Sequence, residues 1–210
     1  MKKSDKPNYE EYVFNQIEIF MLINKCRQNP KLLITLLQNI IPRFDGKIYQ
    51  PKNNTQNYIT NEGVDVVYEA IKFLENQDPL PPLIFSKGLF FSAKMHCHDI
   101  GENGIASHQS SDGLTLSQRV DTFGKWKDLI AENIAFNDYY AEDIIINFVL
   151  DDGNPQRGHR KNMFNPDLNY IGVACGYHCI HENCCVINFS SKLFEYQDLD
   201  IESEEFEFFI

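Results

Sequence analysis

The chain of 210 residues has no uninterrupted apolar stretch of the roughly 20 residues that crossing a bilayer takes. Its first apolar run, Tyr12 to Ile23, is broken by Asn15, Gln16 and Glu18, so no membrane-spanning helix is expected. The start, Met-Lys-Lys-Ser-Asp-Lys-Pro, is basic but has no apolar segment behind it. It therefore does not read as a secretory leader, and the chain is expected in the cytoplasm unless a leader was removed. Positive charge is scarce: 19 Lys and Arg stand against 30 Asp and Glu, a net charge of −11. That balance excludes a basic nucleic-acid footprint and disfavours anionic membranes. There is no internal repeat, which excludes stacked-repeat architectures. Nor is there a Gly-x-Ser-x-Gly elbow, which removes the commonest serine-hydrolase signal.

What is present is globular. Hydrophobic residues make up 43% of the chain and 16 of them are Phe, enough to bury a sizeable core in one domain. The acidity is uneven. Residues 193–210 hold Glu195, Asp198, Asp200, Glu202, Glu204, Glu205 and Glu207 and no base. Outside them the charge is nearly balanced. The expected organisation is an N-terminal extension over 1–12, a domain over 13–193 and an acidic docking tail over 194–210.

Helical periodicity runs through residues 10–44, with Val13, Ile17, Phe20 and Met21 on one stripe. Asn29-Pro30 breaks it, and Leu32, Leu33, Leu36, Leu37 and Ile40 form a second apolar face. Residues 45–60 read as loop. Val64, Val67, Ala70, Ile71 and Leu74 mark a further helix. The Asp78-Pro-Leu-Pro-Pro82 segment is a stiff extended connector. Ser86 is a candidate N-cap for a helix through Cys97. Residues 101–113 read as loop, 116–123 as a short helix and 139–150 as a longer one. Tyr170–Cys175 and Cys185–Phe189 are β-rich runs about a polar turn, which predicts a hairpin.

Three polar stretches concentrate chemistry: Ser107-His-Gln-Ser-Ser-Asp-Gly113, Ala131-Glu-Asn-Ile-Ala135 and Arg157-Gly-His-Arg-Lys-Asn162. Two imidazoles and a carboxylate from separate segments suggest one composite site for metal binding or acid–base work. The alternative is three surface loops whose His and Glu never meet. The run Cys175-Gly-Tyr-His-Cys179-Ile-His-Glu-Asn-Cys184-Cys185 could be a zinc cluster, a hairpin disulfide or plain thiols. Its spacing is not that of a finger.

Taken in order, these motifs resemble a known family. His98-Asp99 is followed by Gly104, Ser107-His108, Asp112-Gly113, Arg119 and Gly124, then by Ala131-Glu-Asn-Ile-Ala135. Asp151-Asp-Gly153, Arg157-Gly-His-Arg-Lys-Asn-Met-Phe-Asn-Pro166 and Ile171-Gly-Val-Ala-Cys-Gly176 complete the order. It is similar to the CAP superfamily of cysteine-rich secretory proteins, antigen five and plant pathogenesis-related proteins, in the Gly-His-Arg form of bacterial SCP domains. The motif-bearing core spans 85–192. The resemblance implies an α+β fold: a three-layer α–β–α sandwich with a small antiparallel sheet.

The resemblance also implies a cleft with two His and two acids. Carried over, these are His108, His159, Glu132 and Asp151, with Asp152 beside the last. Asp151 ends the stretch Phe148-Val-Leu-Asp151, where the family has Trp-x-x-Glu. The Gly-His-Tyr-Thr-Gln signature is replaced by Gly-His-Arg-Lys-Asn, and the leader usual in a mostly secreted family is missing. His108 and His159, with Glu132 as a third ligand, are the candidate donors for zinc or another divalent ion. The leading expectation is a binding or signalling module with no established catalysis, its partner a protein or lipid. The rivals are a metal-dependent, peptidase-like hydrolase with Glu132 as base, and a lipid- or sterol-binding protein. A purely structural polar tetrad is the remaining possibility.

Overall fold

The computed structural model describes residues 9–50 and 57–196. Helix α1 (Tyr9–Gln28) and α2 (Leu32–Ile40) are separated at Asn29-Pro30, where Pro cannot donate into a continuing helix. Tyr12 is buried in α1 and donates its hydroxyl to Asn183 Oδ1 at 2.8 Å. Residues 9–12 of the expected extension lie in this helix, and residues 1–8 are outside the described residues. The expected loop over 45–60 instead holds a small antiparallel sheet of β1 (Phe44–Asp45), β2 (Ile48–Tyr49) and β3 (Tyr58–Ile59). Helix α3 (Asp65–Asn76) buries Val66, Val67, Ala70, Ile71 and Leu74, the apolar stripe of its sequence.

The main sheet has the order β4-β6-β7-β5. Strand β4 (Ile84–Phe85) runs parallel to β6 (Tyr170–His178), and β7 (Glu182–Glu195) is antiparallel to both β6 and β5 (Gly124–Phe136). Helix α4 (Lys87–Asn103) and short α5 (Leu116–Asp121) precede β5. Helices α6 (Ala141–Leu150) and α7 (Gly158–Met163) follow it. Ser86 caps α4, its Oγ accepting Leu89 N–H at 3.2 Å. That helix runs on to Asn103, three residues into the expected loop. The expected acidic tail starts at 194, but Phe194 and Glu195 belong to β7, and Glu195 Oε1 accepts Gly88 N–H at 2.9 Å. The remaining tail, from residue 197, lies outside the described residues.

Side-chain alternation makes this sheet the middle of three layers, the α+β sandwich expected. Ile171, Val173, Cys185, Ile187 and Phe189 face a large core built with α1, α2, α3 and α6. Ala174, Cys184, Val186 and Ile134 face a second, smaller core with Ala93, Cys97 and Ile100 of α4. Close approach of α4 depends on Gly172: a Cβ there would stand 2.1 Å from Phe90 N.

The long strand β5 departs from the sequence expectation, because Glu132 and Asn133 sit in a stretch that reads as turn. Both are buried there because both are fully partnered. A register shift between Lys127 and Ile130, with Asp128 at φ 71°, bends the strand as a bulge does.

Candidate functional site

The Glu132 side chain projects from β5 toward α4, the same side as Ile134. Its Oε1 meets His108 Nδ1 at 2.8 Å and its Oε2 accepts Arg119 Nη2 at 2.7 Å. Asn188, opposite Glu132 in the β5–β7 register, is assigned with its amide nitrogen toward Oε2, 2.9 Å away, because only then does its carbonyl accept Ser92 Oγ–H and Ala93 N–H. Both carboxylate oxygens are thus engaged, and the Glu132 side chain is only 2% exposed. That of His108 is 61% exposed, so its outer edge faces solvent.

The loop carrying His108 is held from three directions. Arg119, fully buried on α5, donates Nη1 to His108 O at 2.9 Å and to Leu114 O at 3.1 Å. Asp99 accepts Ser111 N–H at 2.7 Å and its hydroxyl as well. Burial pushes the Asp99 carboxyl up, but the two Ser111 bonds outweigh this and leave it below its ordinary value. Fully buried His96 lies 3.0 Å from Ser107 O through Nε2. A carbonyl only accepts, so Nε2 carries the proton and Nδ1 accepts from Ser110 Oγ at 3.1 Å. Burial lowers the His96 pKa, against the opposing pull of Glu132, and keeps the ring neutral.

The second pair lies where α6 ends. Asp151 closes that helix in the left-handed region, at φ 51°, which Asp tolerates better than most residues. Its Oδ2 accepts His159 N–H at 2.8 Å and its Oδ1 meets His159 Nδ1 at 2.9 Å. Burial raises the Asp151 pKa, but the hydrogen bonds from His159 and Asn154 prevail and hold the carboxyl below its ordinary value. Asp152 does a different job. It accepts Asn61 N–H at 2.7 Å and Glu62 N–H at 2.9 Å, tying the turn before α3.

The turn that delivers His159 is fastened to α3. Arg157, itself left-handed at φ 49°, makes a bidentate pair with Glu62 at 2.6 Å through both Nη atoms. This bonding drives the Glu62 pKa down to about 2. Arg160 makes a second bidentate pair with Glu69 at 2.7 Å. Both Arg side chains are consumed in positioning. Asn133 projects to the other side of β5, donating to His159 O at 3.0 Å, and Asn162 donates to Asn133 Oδ1 at 2.8 Å.

The two carboxylate–imidazole pairs, Glu132–His108 and Asp151–His159, are both tied to edge strand β5, one through the Glu132 side chain and the other through Asn133, which holds His159 O. Each carboxylate holds Nδ1 and leaves Nε2 outward, the orientation that outer-shell carboxylates give ligating histidines. Among the described residues, however, no three His, Cys, Asp or Glu side chains gather as a metal would need. A structural zinc takes four protein ligands and an open one three, so the donors as placed do not fit a resident ion. Nor, among the described residues, does the cysteine run gather into a metal site. Cys184 and Cys185 alternate to opposite faces of β7, and His178 spends Nδ1 on Ile180 N–H and His181 N–H.

Comparison with known proteins matches residues 22–189 to the cysteine-rich secretory protein family, CAP. The chain belongs to that family. A curated relative, the uncharacterized protein YkwD of Bacillus subtilis, is 27% identical over 108 residues, 51% of this chain. The match covers 40% of that protein, so the chain spans less than half the length of the relative. Among solved structures, an outer surface protein from Borrelia burgdorferi is 20% identical, with a TM-score of 0.46 over 60% of this chain and 86% of that one. An extracellular protein containing a SCP domain from Bacillus anthracis is 23% identical, with a TM-score of 0.44 over 61% of this chain and 38% of that one. These relatives lend no support to the cytoplasmic placement expected from the leading residues. Among the described residues, no helix is long and apolar enough to cross a membrane.

Motif order points to His108, Glu132, Asp151 and His159. It misses the residues that hold them: His96, Asn188, Glu62 and Glu69. Asn188 has a signal only in retrospect, since a polar residue inside a β-rich run needs a partner directly across the ladder.

Proposed function

We propose that this CAP domain is a binding module whose ligand meets the outward Nε2 edges of His108 and His159, and not a hydrolase. The observation that carries the reading is the complete engagement of Glu132. With both oxygens bonded and its side chain 2% exposed, it is poorly placed to take a proton from a water. Neither Ser110 nor Ser111 is free to act in its place. Ser110 Oγ is held between His96 and Arg119, and Ser111 Oγ is bound to Asp99. The carboxylate at each Nδ1 favours the tautomer with Nδ1–H and leaves Nε2 as an acceptor. The ligand class that complements such an edge carries donors: amines, hydroxyls or peptide N–H groups. The net charge of −11 also favours a cationic partner.

The test is a calorimetric titration with zinc chloride of the wild type and His159→Ala, both with cysteines alkylated, followed by a peptide and ester turnover screen. The expected result is no micromolar zinc binding and no turnover. Zinc binding lost in His159→Ala, together with hydrolysis, would replace the binding module by the metal hydrolase. In parallel, a pooled tetrapeptide library with free amines is added to protein carrying 15N-labelled histidine. Shifts at both Nε2 positions are expected.

A further inference from the structure

Cysteine chemistry is the part of this chain that the polar site does not absorb. Cys97 lies on α4 and Cys184 on β7, 87 residues apart, yet their sulfurs stand 3.2 Å from each other. Both are buried, at 4% and 1% exposure, in the smaller core between α4 and the sheet. The alternation of β7 directs Cys184 to this face and its neighbour Cys185 to the other, so the adjacent thiols are not competitors for Cys97. Gly176 faces Cys184 across the β6–β7 ladder, and a Cβ there would stand 3.1 Å from Cys97 Sγ. The missing side chain leaves room for the sulfur pair.

We infer that Cys97 and Cys184 are the site of a disulfide that joins α4 to β7 when the chain folds in the presence of a disulfide oxidant such as glutathione disulfide. The two sulfurs already lie in van der Waals contact as thiols, so closing the bond requires a small local movement of two side chains. The exchange runs in two steps. One cysteine, as thiolate, attacks the oxidant's S–S bond, forms a mixed disulfide and releases one thiol. The second cysteine, having given up its proton to solvent, attacks that mixed disulfide. The Cys97–Cys184 bond forms and the second thiol leaves. Two cysteines are oxidised and one oxidant disulfide is reduced to two thiols.

Burial sets when this happens. In the folded core the Cys97 thiol is pushed well above its ordinary range, by the hydrogen bond with Cys184 and by burial, so the thiolate needed for attack is suppressed. Exchange is therefore fast while α4 is still undocked and slow once the core has closed. The product is then protected from reduction by the same burial. A link closing so long a loop restrains the unfolded chain strongly.

The full chain is unfolded in urea and refolded with glutathione disulfide, or with dithiothreitol. Each product is acid-quenched, alkylated and mapped by mass spectrometry without reduction. The expected result is a peptide linking Cys97 to the Cys184 segment only in the oxidised sample, with a melting temperature higher by roughly 8 °C or more. The Cys175→Ala/Cys185→Ala variant should retain both the link and the shift, which separates Cys184 from its neighbour. Cys97→Ala should lose both. Alkylated Cys97 in the oxidised wild type, a link from Cys97 to any other cysteine, or an unchanged melting temperature would each overturn the assignment. The mapping is made on the wild type, so a variant that fails to fold does not remove the test.

Discussion

Glu132→Gln keeps the shape of the side chain and removes its charge. Arg119 then remains fully buried, with its Nη2 facing a neutral amide instead of a carboxylate. Breaking one side of such a buried pair costs about 3–5 kcal/mol, because the remaining charge is left uncompensated away from water. In a chain of this size each kcal/mol lowers the melting temperature by about 2–4 °C. The expected loss is therefore about 6–20 °C, with the urea midpoint falling in step and the slope of the transition unchanged. The charge itself is isolated by the double variant Arg119→Met/Glu132→Met, which removes both members and should recover at least half of the loss. The same substitution also reaches the site. His108 Nδ1 loses its carboxylate partner, so its 15N signal should move toward the pattern of a free imidazole while that of His159 stays in place. A loss below about 1 kcal/mol, or a double variant less stable than the single, would refute the buried charge network as the support of this half of the site.

Acid should loosen the other half of the site. Glu62 is driven to about 2 in the fold, chiefly by the Arg157 hydrogen bond, against an ordinary value of 4.5. A depressed carboxyl stabilises the fold above its ordinary pKa, and that contribution is lost as pH falls from about 4.5 toward 2. Amide exchange in the 151–158 turn should rise across that window, and Arg157→Ala should weaken the pH dependence, leaving the part that Asp151 contributes. Gly172→Ala places a Cβ 2.1 Å from Phe90 N and must push α4 off the sheet. Loss of cooperative thermal unfolding is expected, read by near-ultraviolet circular dichroism. Arg27, 1% exposed, donates to Met163 O at 2.8 Å, Asn165 O at 3.0 Å and Leu168 O at 3.2 Å. Arg27→Met leaves those carbonyls unpaired and should cost about 3 kcal/mol by urea unfolding.

Much of this is readable from residue order alone. Helix positions follow from apolar stripes and from Asn29-Pro30, Ser86 and Asp151, because stripes and breakers act over one or two turns. The hairpin after Tyr170 is legible for the same local reason. Motif order also names two His and two acids, through its resemblance to the family and not through local structure, since the Glu132 motif lies within β5.

Other features depend on partners far along the chain. Strand β5 is illegible because Glu132 and Asn133 look like loop residues until Asn188, Arg119 and α7 are placed around them. The choice of Asp151 over Asp152 is likewise decided by where Asn61 and His159 lie in space. Motif order, through its resemblance to the CAP family, named His108, Glu132, Asp151 and His159 as candidates and implied the three layers. Only tertiary structure paired His108 with Glu132 and His159 with Asp151 and tied both pairs to an edge strand, because strand alternation and cross-strand register fix directions that residue order does not encode. The same packing brought Cys97 to Cys184, since contact between a helix and a strand 87 residues away depends on how the layers close.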